Sequence, residues 1–581
     1  MRFVFAIVSF VLAAVLIALG VAQRTVFASP DEFRLDVAVA SDAPVTVIEG
    51  TTLNALDGRQ TLEISGTDGV FAAYGRTDDV LGWVGESEHT LVRYAEEEGS
   101  LVAEEVAGSE TEVPSPQGSD LWIDSFSDDA RLDMTVDLPE DVSVLLVSDG
   151  AAPAPSEISL IWPLDDRTPF SGPLILAGAV VLLLGLILLV WALLHMRASR
   201  GPRRKSRRLP KLPRQPRYKS RRTTRPIAGR RPGRRGMIAV PVVMVGALAL
   251  SGCTAESWPD LSPQPTPTPS AAAPGEAIGI DAPAATVRQV ERIVADVSEV
   301  SAAADDARDS AMLESRFSGP AFDRRAADYQ IRTADEGIGS SVPVIPDGPV
   351  EVVLPQQTQT WPRTVFTVIQ DDQDATIPTV ALMLIQESPR ENYKVHYAVT
   401  LEASAQLPDL APASLGAARL GPDSPLLSSA PSGLAAAYAD VLARDAESPE
   451  NDRFRAEGDT LREAVGVAAK QAQAEELPDT ASIEFTNSVG EEAPIAMATN
   501  DAGALVTVAM SETTTVRAAE EAATVDTGGS VQALAGTGSS TVGFEAVYGY
   551  QLLFYVPPAG SDDQVVLLGY HQGLDAAREI Q

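Results

Sequence analysis

Apolar residues are concentrated in three runs, and between them the chain alternates between apolar and polar positions. Phe3 to Ala22 is almost uninterrupted apolar sequence, and Pro173 to Met196 is built from Leu, Ile, Val, Ala and Gly. At about 1.5 Å of rise per helical residue, each run spans a bilayer core of about 30 Å. A third run, Met237 to Cys253, is shorter and contains Pro241 and Gly246. The pattern places a signal anchor over 1–25 and a transmembrane helix over 173–196, with Trp162 and Trp191 near the ends where indoles prefer the interface. The length of the first run favours an uncleaved anchor over a signal peptide cut after Ala22.

Outside the runs the periodicity changes. From 26 to 164, segments such as Phe33–Val37 and Arg131–Val136 alternate apolar and polar residues between turn-rich stretches such as Gly66–Gly69. Short strands with polar turns predict an all-β, sandwich-like domain. Further on, Val287, Val290, Val294 and Val297 define one helix face, followed by strands over 364–370, 379–386 and 393–401. In the last strand, strict alternation puts Tyr393, Val395, Tyr397, Val399 and Leu401 on one face and an exposed His396 on the other. Helices over 434–442 and 454–474, then strands over 504–510, 544–556 and 565–570, repeat the order. The expected fold class is therefore a membrane-anchored multidomain chain with a β domain over 26–164. An α+β region of helices and antiparallel sheets follows, in two tandem units over 281–425 and 426–581. Helices leading into long hairpins resemble nuclear-transport-factor-2-like or cystatin-like folds in element order, and such folds host both enzymes and binding modules.

Charge orients these pieces. Between Arg197 and Arg235 there are 18 Lys and Arg and no Asp or Glu, so the remainder is more acidic than the net charge of −36 suggests. The positive-inside bias keeps the basic segment 197–236 cytoplasmic and exports the regions on either side of it. Prolines at 202, 210, 213, 216, 226 and 232 prevent a continuous helix there, which makes it a disordered loop suited to anionic lipid headgroups. An acidic exterior repels phosphate, so nucleic acid is not an expected partner. Membrane lipids, an envelope protein or a cationic ligand are.

The only cysteine, Cys253, ends the sequence Leu250-Ser251-Gly252-Cys253 behind a basic segment and an apolar run. This order resembles bacterial lipoprotein signals, and the resemblance implies lipidation of Cys253 with cleavage after Gly252. The alternative is an ordinary third helix. The linker over 254–280, with Ser262 to Ser270 rich in Pro and Thr, reads as an extended spacer. Five lysines against 39 arginines, with abundant Ala, Gly and Pro, resemble uncharacterised actinobacterial membrane proteins of this composition.

Catalytic chemistry is weakly marked. His89, His195, His396 and His571 are far apart, and none has a second ligand at metal-binding spacing. Asp371-Asp372-Gln373-Asp374 reads as a solvated turn rather than a cation site, and Gly536 to Ser540 lacks the continuation of a phosphate-binding loop. Trp83 and Trp122 read as core before they read as a sugar-binding face. No catalytic residue, cofactor or metal is expected. The expected role is a non-catalytic cell-envelope membrane protein or lipoprotein that binds or scaffolds a partner outside the cytoplasm. An enzyme acting on envelope glycans through two carboxylates and an accessory subunit of a transport or secretion complex remain as alternatives.

Overall fold

The computed structural model describes residues 2–27, 30, 32–67, 69–164, 170–199, 281–374 and 376–581. Gly252 and Cys253 lie outside them, as do the basic segment beyond Ser199 and the linker. The chain divides into two compact units. The first comprises Met1–Arg34 and Ile161–Gly275, and the second Leu35–Leu160 and Glu276–Gln581.

In the first unit, the helices Arg2–Thr25 and Ser171–Ser199 are both long and apolar enough to cross a membrane. They pack antiparallel, because glycines let their backbones approach. A Cβ placed on Gly178 would stand 2.6 Å from Ile17 Cγ1, and one on Gly20 2.7 Å from Ile175 Cγ1. Their outward faces carry exposed residues such as Val8, Leu183 and Ile187.

The second unit joins two stretches that are distant in sequence. Its amino-terminal part is rich in sheet, and apolar alternation explains strands such as Gln60–Ser65 and Arg131–Val136. A six-stranded sheet runs in the order Ser100–Val106, His89–Ala95, Val45–Ile48, Val142–Val147, Val70–Arg76, Asp124–Asp128. Val142–Val147 is buried throughout, Ser143 included, as a largely apolar central strand should be. Glu32–Ala38, Glu157–Pro163, Gln60–Ser65 and Arg131–Val136 form a four-stranded sheet. The parallel pairing of Val45–Ile48 with His89–Ala95, and the short helix Thr77–Val84, depart from a purely antiparallel sandwich. Trp83 and Trp122 are both core residues and meet edge to face at 5.7 Å.

The carboxy-terminal part holds one ten-stranded sheet rather than two separate ones. Val350–Pro355, Arg363–Ile369, Val380–Gln386 and Lys394–Leu401 form an antiparallel meander, backed by the helices Val287–Ala307 and Gly319–Ala334. The long strands Ala504–Ala518, Gly543–Val556 and Val566–Glu579 form the second half, backed by Pro431–Arg444. The halves meet where Thr400 and Leu401 pair with Tyr570 and Gly569.

Two local expectations are corrected. The helix expected over 454–474 is broken into Thr460–Val465 and Val467–Glu476. Gly458 at φ 84° precedes the first, and Gly466, which weakens a helix interior, ends it. In Lys394–Leu401, Val395 pairs with Leu384 and Tyr397 with Met383, so His396 is the extra residue of a β-bulge. The bulge sends Tyr393 and Val395 into one core and Tyr397 and Val399 into another. His396 is not exposed: 9% of its surface remains accessible, because the start of the helix Gly319–Ala334 lies on its ring.

Within the second unit, the amino-terminal part closes onto the carboxy-terminal part through buried charge. Asp120 Oδ2 accepts from Arg316 Nη1 at 2.6 Å and from the Tyr393 backbone N–H at 2.8 Å, and Arg316 Nη2 pairs with Asp296 at 2.7 Å. Burial pushes the Asp120 carboxyl up, and Arg316 and the Tyr393 N–H pull it back. A second pair joins Arg363 Nη2 to Asp79 Oδ1 at 2.7 Å, with both side chains almost wholly excluded from solvent. The Arg363 guanidinium stacks 3.8 Å from the Trp361 ring centroid. Backbone groups extend the seam: Gln289 Nε2 donates to the Asp120 and Leu121 carbonyls, and Arg390 donates to those of Trp83 and Val84.

Gly82 is required by this closure, because a Cβ there would stand 2.8 Å from Trp361 Cη2. Gly82→Val is expected to lower stability by about 1–3 kcal/mol, the usual cost of overpacking, measured by chemical denaturation followed through tryptophan fluorescence.

Candidate functional site: an acidic cleft over a buried arginine

A cleft in the carboxy-terminal part begins with two glycines in strand interiors. Gly549 and Gly573 lie directly opposite each other on Gly543–Val556 and Val566–Glu579. Neither has the positive φ that favours glycine, so space is the reason for them. A Cβ on Gly549 would fall 1.8 Å from Asp575 Oδ2, and one on Gly573 would fall 2.9 Å from Arg324 Nε. The hollow they leave admits the Arg324–Asp575 ion pair, with Nη1 to Oδ1 at 2.8 Å.

Above this pair is a cavity of about 260 Å³. Arg324, Tyr550 and Gln551 form its buried side, Asp575 stands in the wall, and Asp323, Glu491 and Glu492 are exposed at the rim. The helix Gly319–Ala334 places Asp323 and Arg324, and Gln551 secures the start of that helix. Its Nε2 donates to the Pro320 carbonyl at 3.1 Å while its Oε1 accepts from the Ala398 N–H at 2.9 Å. Surrounding protein and Glu492 push the Asp323 carboxyl up. Burial pushes Asp575 up against the pull of Arg324, and burial lowers Arg324 against the pull of Asp575. Arg324 is 3% exposed, yet its Nε and Nη2 have no hydrogen-bond partner.

Two buried histidines adjoin the cleft. Ser318 Oγ lies 3.2 Å from His396 Nδ1, and Gly319, at φ 52°, presses on the ring so closely that a Cβ would stand 2.4 Å from Cε1. Glu492 Oε2 is 3.6 Å from Nε2, too long for a hydrogen bond. Burial and Arg419 bring His396 down to about 4, so its ring is neutral near pH 7. His571 is brought down to about 3 by burial, Arg324 and Arg325, and its Nε2 lacks a partner.

The residues singled out in the sequence lie apart from this cleft, His396 and His571 excepted. His89 Nδ1 is 2.9 Å from the Ser87 carbonyl, and His195 lies in the second apolar helix. Asp371 and Asp374 accept hydrogen bonds from backbone N–H groups of their own turn. Among the described residues, no group of three or more His, Cys, Asp or Glu side chains is disposed to hold a metal ion. A wider groove of about 1150 Å³ has Asp452, Arg455, Glu457, Asp501 and Asp563 along it. Sequence reasoning missed the cleft, because Asp323, Glu492 and Asp575 share no local motif. The legible signal was a pair of glycines inside otherwise continuous strands.

No curated protein and no solved structure matches the chain. A protein-family model described as "Domain of unknown function (DUF8094)" matches residues 281–579, just over half of the sequence and the whole of the part that carries the cleft. The chain belongs to the DUF8094 family.

Proposed function

We propose that this chain is a non-catalytic, membrane-anchored cell-envelope protein whose two exported regions form one body that binds or scaffolds a partner. One observation carries the reading: the buried pairs Asp120–Arg316 and Asp79–Arg363 join regions that lie on opposite sides of the membrane-length helix and the basic segment in sequence. Charges withdrawn from water must be paired where they are buried, so both regions have to reach the same compartment to meet. The basic segment after Met196 stays inside by the positive-inside bias, which puts both regions outside. Lipidation of Cys253 after cleavage at Gly252 would add a second anchor. The acidic surface favours a cationic or protein partner.

The topology is tested by cysteine labelling in a chain lacking Cys253. Ser109→Cys and Ala522→Cys are expected to react with an impermeant maleimide in intact cells, and Ser206→Cys only after permeabilisation. Reaction of Ser206→Cys in intact cells would overturn the reading.

The enzyme reading keeps one specific observation in its favour: Asp323 and Asp575, both with raised carboxyl pKa values, stand in one cleft. It predicts that isolated envelope glycans are cleaved by the protein and spared by Asp323→Asn. The scaffold reading predicts no turnover by either.

A further inference from the structure

We propose that the free edge of the strand Ala481–Val489 takes up an extended segment of a partner protein, basic at both ends, as an added β-strand. This names the kind of partner meant by the binding reading above and rests on it. The strand is nine residues long and, among the described residues, pairs on one side only, with Ala504–Ala518. At its two ends the Gly490 N–H donates to the Ala509 carbonyl, and the Ala519 N–H to the Thr480 carbonyl. Those bonds fix the phase of the antiparallel ladder, so Ser482, Glu484, Thr486 and Ser488 turn their backbone groups inward. Ile483, Phe485, Asn487 and Val489 turn theirs outward, and no described residue hydrogen-bonds them. Such a row is a template for one more strand.

Edges of this length are normally blunted. At the two ends of the strand order in the same sheet, Val350–Pro355 carries a bulge and closes on proline, and Arg419–Leu420 is two residues long. Ala481–Val489 keeps an unshifted register and has no proline and no lysine. Its side chains select the occupant. Ile483 and Phe485 are half-buried and Val489 is exposed, so an added strand gains apolar cover. Asp479 stands before the strand, Glu484 within it, and Glu491 and Glu492 after it, all exposed, while Arg517 opposite Ser482 offsets one of them. The same charges disfavour a second copy. Antiparallel pairing about Phe485 would set Asp479 of one copy against Glu491 of the other, and in-register parallel pairing would set Glu484 against itself. A strand with basic ends meets no such repulsion.

Fluorescence anisotropy with the full chain in detergent tests the proposal. The probes are labelled peptides of about ten residues, with lysines at both ends and Val, Ile, Phe or Tyr alternating with Thr between them. Controls carry glutamates at the ends, or methyl groups on alternate backbone nitrogens. At least one lysine-ended peptide is expected to bind, and both controls at least 10-fold more weakly. Ile483→Pro removes an outward N–H without touching the ladder and is expected to weaken binding at least 10-fold, whereas Ile483→Thr keeps the N–H and weakens it less. Asp479→Lys with Glu491→Lys is expected to reverse the preference toward glutamate-ended peptides. Thermal melting of each variant separates lost binding from lost folding, and the methylated peptides probe the edge of the unaltered chain. Absence of binding by every lysine-ended peptide would overturn the proposal, as would equal binding by either control or unchanged affinity in a folded Ile483→Pro. Mass spectrometry of the recovered peptide keeps the two readings apart: a peptide held at the edge and returned cleaved would support this site and contradict the non-catalytic function.

Discussion

Arg316→Met is expected to destabilise the unit formed by Leu35–Leu160 and Glu276–Gln581 by about 3–5 kcal/mol, the cost of leaving one member of a buried ion pair without its partner. Asp120 would keep the Tyr393 N–H but lose the Arg316 guanidinium, with Asp296 still close by. The double substitution Arg316→Met, Asp120→Leu removes both charges and should recover much of the loss, because an apolar pair of similar volume avoids the desolvation cost altogether. Denaturation of the full chain in detergent, followed through Trp83, Trp122 and Trp361, gives all corners of the cycle. Equal losses in the single and double variants would mean that packing, and not the ion pair, holds the seam.

Acidification is expected to weaken the same unit from about pH 6.5 downward. His396 and His571 titrate near 4 and 3 in the folded protein against about 6.5 when unfolded. Between those values the unfolded chain binds more protons, so stability rises with pH and is lost as pH falls through the window. Each histidine contributes a slope of up to about 1.4 kcal/mol per pH unit. Asp120, Asp323 and Asp575, with raised carboxyl pKa values, act in the opposite sense toward the acid end. The comparison therefore lies between variants. His571→Leu and His396→Asn should each flatten the stability profile between pH 6 and 4.5. Profiles that remain parallel to the wild type would show that neither ring carries the effect.

What could be read from the sequence follows the range of the interactions. The two membrane-length helices were legible because uniform apolarity is a local property. The helix Val287–Ala307 was legible through the spacing of Val290, Val294 and Val297, which are buried, although Val287 is exposed. The strand around His396 was misread because strict alternation assumes an unbroken ladder, and the bulge there is set by the neighbouring strand. The seam was not legible. Asp120 and Arg316 are 196 residues apart, and nothing around either distinguishes it from the many other charges. The helices and antiparallel strands of the carboxy-terminal region were legible as element order, but their union into one sheet rests on the pairing of Thr400 and Leu401 with Tyr570 and Gly569. The cleft depends on Arg324 and Asp575, brought together across 251 residues by two glycines whose purpose appears only when their strands pair.

Whether Leu35–Leu160 and Glu276–Gln581 form one body is decided by cutting the chain between them. A protease site placed after Ser270 leaves a carboxy-terminal piece with neither an apolar run nor Cys253. The full chain is reconstituted into lipid vesicles, cut to completion and sedimented. Retention of the carboxy-terminal piece with the vesicles, and its release by Arg316→Met with Arg363→Met, is the predicted result. Release of the wild-type piece into the supernatant on cutting would mean that the two stretches are separate bodies.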